Sequence, residues 1–333
     1  MKKTLIALAV VAAAGSTGAH AANVYSSDGT ELNVGGRAEF RGDFIGNGGK
    51  EIEGTMANKS RFRLNVGGTT QISDTLSGFG FYEGEQGVGS SANDQGSTDT
   101  TTSFKQRYMY AGLQGDFGAV SFGRQDTAAV QISQMSDVTT FTGAQKEFIN
   151  AGNEQINNTI AYAGNFDALS LKASYIAGED KDTDGYGISG IYTLPMGLGF
   201  GLGLSGGDNG VGAGSGQAAI AGINYALDSL YVAGTYTSGD LDDKANSEFE
   251  GVELAAVYGF GNGFALKGAY QKTDNKNSGV TTEKSDFFEL TGDYAFNKNI
   301  NAYLAYLVNN LKESSVGAKD AEDTLRFGLK YSF

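Results

Sequence analysis

Side chains that make and break bonds are almost absent from this chain. Its single histidine is His20 and it has no cysteine. Beyond residue 21 it can therefore build neither a His or Cys metal site nor a Ser-His-Asp or Cys-His catalytic group. Carboxylates remain, and nothing in their spacing singles out an acid–base pair. What the sequence does repeat is charge at every second position. Between 31 and 44 the odd positions read Glu31, Asn33, Gly35, Arg37, Glu39, Arg41 and Asp43. The even positions read Leu32, Val34, Gly36, Ala38, Phe40, Gly42 and Phe44. Successive side chains of a strand point to opposite faces, so one face is charged and the other apolar or small. Charges lining a wet wall act on passing ions through their field. That is sorting rather than turnover, and no enzyme activity, cofactor or metal is expected.

The elements that would carry such a wall recur along the chain. Arg61, Arg63 and Asn65 alternate with Phe62, Leu64 and Val66, and Leu325, Phe327, Leu329, Tyr331 and Phe333 alternate with polar or small residues. Apolar phases also run through 169–175, 198–204, 230–236, 252–258, 288–294 and 300–308. About fourteen alternating residues from 31 is long for a strand of a soluble sheet. Counting segments between turn signals predicts about sixteen strands, starting near 31, 59, 76, 103, 118, 155, 168, 185, 198, 217, 229, 248, 263, 285, 299 and 322. Very short connections (194–197, 227–229, 261–263, 296–299) alternate with long polar ones (87–102, 178–184, 206–216, 239–247, 273–284, 312–323). Short turns at one rim and long loops at the other are the pattern of an outer-membrane barrel.

The start of the chain reads as a targeting segment. Lys2 and Lys3, an apolar run from Thr4 to Ala14 and the small-x-small triplet Ala19-His20-Ala21 predict a signal peptide over 1–21. One barrel domain over 22–333 is then expected. Removal of two lysines and no acid takes the net charge from −14 to −16, which argues against nucleic-acid partners. The fold class expected is all-β: a transmembrane antiparallel barrel, closed because hydrocarbon satisfies no backbone hydrogen bond, and wide enough at sixteen strands to hold water.

Residues 126–154 interrupt the pattern. They are polar and small, with little two-residue period, and a stretch of that length without structure is uncommon unless it has a role. It could fold into the lumen or stand outside it.

The chain resembles the general trimeric porins of Gram-negative outer membranes, the OmpF/OmpC/OmpU type, through essentially the whole of 22–333. The likeness is clearest at 32–38, Thr70-Gln71-Ile72, Ala111-Gly112-Leu113, Phe122-Gly123-Arg124, 296–306 and the terminal Phe333. It implies a homotrimer of sixteen-stranded barrels whose third loop enters the pore. It also implies that Arg37, Arg63 and Arg107, with Arg41 and Arg61 nearby, are the basic wall of a constriction, with Arg107 on one face with Lys105 and Met109. Glu83 matches a wall carboxylate and Asp137 a loop acid. The family's Pro-Glu-Phe-Gly-Gly loop tip is replaced by Val138-Thr139-Thr140-Phe141-Thr142-Gly143. A second loop acid is thus missing or moved to Glu147, and Gln155 stands where a fourth base is usual, so a weaker constriction field is expected. Phe327, Leu329, Tyr331 and Phe333 match the signal read by the barrel-assembly machinery.

What this implies is passive diffusion of ions and small hydrophilic solutes across the outer membrane, mildly cation-selective, with lipopolysaccharide as neighbour. Two other functions are compatible with a barrel. A sugar-selective channel would need an aromatic track along the lumen, for which Phe79 and Phe81 are isolated candidates. Long loops could also serve an adhesin or phage receptor.

Overall fold

A computed structural model describes residues 21–46, 52–88, 104–317 and 319–333. The expected signal peptide lies outside these residues except for Ala21. Strands dominate: β1 (Ala22–Ser27), β2 (Thr30–Gly46), β3 (Ile52–Asn58), β4 (Arg61–Ser73), β5 (Leu76–Gly87), β6 (Phe104–Gly115), β7 (Gly118–Gln125), β8 (Ile156–Phe166) and β9 (Leu169–Ile176). Then follow β10 (Gly185–Thr193), β11 (Leu198–Asp208), β12 (Ser215–Leu227), β13 (Leu230–Asp242), β14 (Ser247–Gly259), β15 (Phe264–Asn277), β16 (Val280–Ala295), β17 (Ile300–Asn309) and β18 (Thr324–Ser332). All pair antiparallel with their neighbours, and β18 returns to β2, which closes the sheet.

Eighteen segments make sixteen staves because two staves are broken. β3 and β4 pair with the upper and lower halves of β2, Gly42↔Asn58 above and Glu39↔Arg61 below, and Lys59 and Ser60 separate them. β1 and β18 likewise lie end to end along the other side of β2. Ala22 faces Val34, Ser332 faces Arg37, and Phe333 exchanges backbone hydrogen bonds with Gly36 between them. β1 and β18 thus complete one stave, and no strand edge among the described residues is left open to lipid.

The distribution of side chains is inverted relative to a soluble protein. On β11 Phe200, Leu202 and Leu204 point out and are exposed, Leu202 by 70%. Gly199, Gly201, Gly203 and Ser205 point in and are buried. Tyr175, Tyr192, Tyr258 and Phe296 are exposed toward strand ends, where interfacial aromatics belong. No helix among the described residues is long and apolar enough to cross a membrane; the strands cross it.

Turns at one rim are tight. Asp28-Gly29 takes two positive φ angles, 49° and 72°, which Asp and Gly tolerate best. The opposite rim differs from expectation. Residues 273–284 are not a long loop: β15 runs to Asn277 and β16 resumes at Val280. β13 and β14 also extend, to Asp242 and from Ser247. These extensions are polar on both faces because they stand in water, so they carry no alternation to read.

The segment between β7 and β8 is the third connection on the long-loop rim. It holds a one-turn helix α1 (Val130–Ser133) and two 3-10 turns, Ala144–Lys146 and Asn150–Gly152. Its apolar side chains form two small cores with inward residues of the wall. Ala129, Ile132 and Met135 meet Ile220 and Ala233. Ile149 and Ala151 meet Ile176 and Phe249, and Phe148 stacks on Phe249 at 4.1 Å. Inward glycines leave room for this. A Cβ on Gly201 would stand 2.8 Å from Ile132 Cδ1, and one on Gly222 2.7 Å from Met135 Sδ. The Gly-rich inner faces of β11 and β12 are therefore a floor for the loop. Gly222→Leu is expected to cost about 1–3 kcal/mol by overpacking and to lift α1 from the wall. Thermal unfolding and single-channel conductance both read this, and no change in either would refute the floor.

Candidate functional site

The site follows from the closed sheet and from one long-range register. Arg37 on β2 faces Arg63 on β4 directly, and like charges opposite one another repel. Inward carboxylates on the same and neighbouring strands resolve this. Glu83 and Glu85 of β5 face Asn65 and Arg63 of β4. The result is a run of alternating charge across β6, β5, β4 and β2. Arg107 Nε donates to Glu83 Oε1 at 2.7 Å, and Arg63 Nη1 lies 3.4 Å from the same oxygen. Arg63 Nη2 donates to Glu85 at 2.5 Å, and Arg61 Nη1 stands 3.6 Å from Glu85. Arg61 Nε donates to Glu39 at 2.7 Å, and Arg37 Nε ends the run 3.9 Å from Glu39. Four guanidiniums alternate with three carboxylates.

The basic wall anticipated from sequence is thus brought together, but not as bare cations facing loop acids. Glu83 lies between Arg107 and Arg63. Glu39 and Glu85 were missed as partners, although both sit on the polar phase two residues from an arginine or a glutamate. Arg107 corrects an expectation. The pairing of β5 with β6 shifts between Glu83 and Gly84, which places Arg107 in a bulge. Met109 is 54% exposed on the outer face, so it does not share the arginine's face. A bulge inserts one residue and reverses the phase beyond it. Arg41 makes no ion pair among the described residues; Arg326 of β18 takes Asp43 in a bidentate pair at 2.7 and 2.9 Å.

The loop has one internal ion pair and an excess of acids. Asp137 accepts from Lys146 at 2.5 Å and from Thr142 at 3.2 Å. Burial works against the Lys146 charge, yet Asp137 holds its ammonium above the ordinary lysine range. Glu147 has no ion pair among the described residues. Burial raises its carboxyl above the usual range; Lys146 opposes this, and Glu154 and Asp137 add to it. Gln155 is not in the run of charges. It sits at the loop's neck in left-handed geometry, φ 59°, and its N–H donates to Asp126 Oδ1 at 3.1 Å.

Two inward carboxylates fasten the loop tip to the far wall. Glu253 of β14, 0% exposed, accepts from Ser136 Oγ at 2.6 Å and Gly143 N at 2.7 Å. Glu289 of β16 accepts from Thr139 Oγ1 at 2.5 Å, Thr140 N at 2.9 Å and Phe141 N at 3.0 Å. Arg326 donates to Thr140 O at 2.7 Å, and its guanidinium lies 3.7 Å from the Phe141 ring centre. At the other end the Ala128 N–H donates to Ser174 Oγ of β9 at 2.9 Å. The loop therefore lies along the inner wall from β9 round to β18, and the run of charges on β2 to β6 is the part of the wall opposite it.

Comparison with known proteins agrees with this architecture. The family model described as Gram-negative porin matches residues 7–314. Outer membrane protein U of Vibrio vulnificus (strain CMCP6) is 34% identical over 100% of both chains, and outer membrane porin protein OmpD of Citrobacter koseri is 29% identical over 100% of both. Among solved structures, Salmonella typhi OmpF in complex with daunomycin superposes with a TM-score of 0.79 at 19% identity, over 94% of this chain and 100% of that one. By sequence as well as by fold, the chain belongs to the Gram-negative porin family, outer-membrane channels for passive diffusion rather than enzymes.

Proposed function

We propose that solutes cross through the part of the lumen bounded by the alternating charges of Arg37, Glu39, Arg61, Arg63, Glu83, Glu85 and Arg107 on one side and by the free edge of loop 126–155 on the other. One observation carries this: the loop is fastened from β9 to β18, and the remaining wall is charged. Ion preference then depends on small differences. The run of charges has a surplus of one guanidinium, while Glu147 and Glu154 on the loop and the chain's overall negative charge act the other way. Mild cation selectivity follows. Reversal potentials in planar bilayers under a potassium chloride gradient test it, and a clear anion preference would reject it.

Acid should weaken that preference in a defined direction. Glu147 carries its negative charge above its pKa and is neutral below. Because burial raises that pKa, cation preference should begin to fall at a pH above the usual carboxylate range. Glu147→Gln should flatten the upper part of the titration and leave the lower part; an unchanged curve would place Glu147 off the path.

The assembly is a homotrimer in this proposal, as in the trimer form solved for OmpT of Vibrio cholerae. Outward Gly78 and Gly80 on β5 would let subunits approach closely. The exposed phase Phe327, Leu329 and Tyr331, ending at Phe333, is presented to the barrel-assembly machinery, and the outer wall meets lipopolysaccharide.

A further inference from the structure

Below the charged run, four aromatic rings face the lumen from β5 and β6. Phe81 lies 5.5 Å from Tyr110 and 6.2 Å from Tyr108, and Phe79 lies 6.3 Å from Tyr110, centre to centre. Inward glycines flank them: a Cβ on Gly112 would stand 2.6 Å from the Phe79 ring, and one on Gly67 3.3 Å from the Phe81 ring. Phe79 and Phe81, isolated candidates in the sequence, are thus part of a patch. Apolar rings on a watered wall cost hydration, and a patch of them marks a contact site. Loop 126–155 meets it at the neck, where Tyr108 donates to Asp126 Oδ1 at 3.0 Å.

The polar groups beside the rings narrow the ligand. Glu83 is two residues beyond Phe81 on the same face and opposite Tyr108 in register. Both Arg107 and Arg63 approach its Oε1. Its Oε2, both Nη atoms of Arg107 and the Tyr110 hydroxyl take no hydrogen bond among the described residues. A carboxylate oxygen accepts and a guanidinium donates, so the pair fits neighbouring hydroxyls of one ligand. The rings are tilted, 33° between Phe81 and Tyr110 and 77° between Phe79 and Tyr110. That makes a wall for a C–H face rather than a slot for a flat aromatic molecule.

We infer that this patch is a weak saccharide site within the diffusion path: Phe79, Phe81 and Tyr110 pack against the C–H face of a pyranose, while Glu83 Oε2 and the Arg107 Nη atoms bind adjacent hydroxyls. It rests on the proposed path and adds a ligand class to it. The test is open-channel current of the mature protein in planar bilayers with maltotriose, and with benzamide as the aromatic comparison. Conductance steps without solute test the pore itself, so failure there is distinct from failure of the site. Maltotriose should give a saturable block, and Phe81→Ala with Tyr110→Ala should raise the half-blocking concentration about tenfold, as loss of two ring contacts implies. Phe81→Leu replaces the double variant if that gives no steps. Glu83→Gln should also weaken the block. The site is overturned by an unsaturable response to maltotriose, by equal block in the ring variants, or by saturable block with benzamide alone.

Discussion

Replacing Glu39, Glu83 and Glu85 together by glutamine turns the channel anion-selective. The three side chains keep their shape and lose their charge, so the wall passes from a surplus of one guanidinium to four. In a watered lumen each lost charge acts on an ion about 8 Å away with about 0.5 kcal/mol. Three such losses sum to about 1.5 kcal/mol against a cation and the same in favour of an anion, so the cation-to-anion permeability ratio should fall about a hundredfold. That exceeds a mild initial preference, so the reversal potential under a salt gradient should change sign. High salt should shrink the change, because screening at 1 M reaches about 3 Å. The converse set, Arg61→Gln with Arg63→Gln, should move the potential the other way. Were neither set to move it, the alternating charges would not border the conducting path. The glutamine variant should also be less stable, since Arg37 and Arg63 are left face to face; its resistance to heat in detergent measures that separately.

Much of the fold was legible because a barrel stave is held between two solvents. Each residue of β5, β7, β10 and β11 must suit lipid or water in turn, and their expected starts at 76, 118, 185 and 198 are the observed ones. Where one of the two solvents is missing the code fails. β1 was not anticipated, and the extensions of β15 and β16 read as loop, since both faces there are wet or short. The site was legible as composition and not as pairing. Arg37, Arg63, Arg107 and Glu83 could be placed on a polar phase, but that Arg37 meets Arg63, and that Glu85 stands between Arg63 and Arg61, depends on registers between strands. The bulge at Arg107 is beyond any periodicity argument, because one inserted residue is invisible until its neighbour strand is known. The inward glycines of β11 and β12 were visible as an excess of glycine. Their meaning needed the loop that rests on them.

The second large effect concerns that loop. With Glu253→Ala and Glu289→Ala combined, residues 136–147 come off the wall while α1 stays. Glu289 takes two backbone N–H groups and the Thr139 and Thr140 hydroxyls from the tip, and Glu253 takes one backbone N–H and the Ser136 hydroxyl. Hydrogen bonds to charged groups contribute about 1.5–3 kcal/mol each, so losing six far exceeds the stability of a loop tip. What remains there is the contact of Arg326 with Thr140 and Phe141, the edge contact of Phe141 with Phe287, and single neutral hydrogen bonds to Thr235, Thr237 and Gln271, whereas α1 keeps Ile132 and Met135 in an apolar cluster on the glycine floor. Release should therefore stop at the base. Single-channel records should show current fluctuations absent from the parent, and a thiol reagent should label Thr140→Cys at least about tenfold faster. Labelling at Ala129→Cys should not change. Glu289→Asp should restore part of the quiet current, because a carboxylate is still present. Equal labelling of both cysteines would mean that the loop moves as one body, and an unchanged rate at Thr140 would mean that the two carboxylates do not hold the tip.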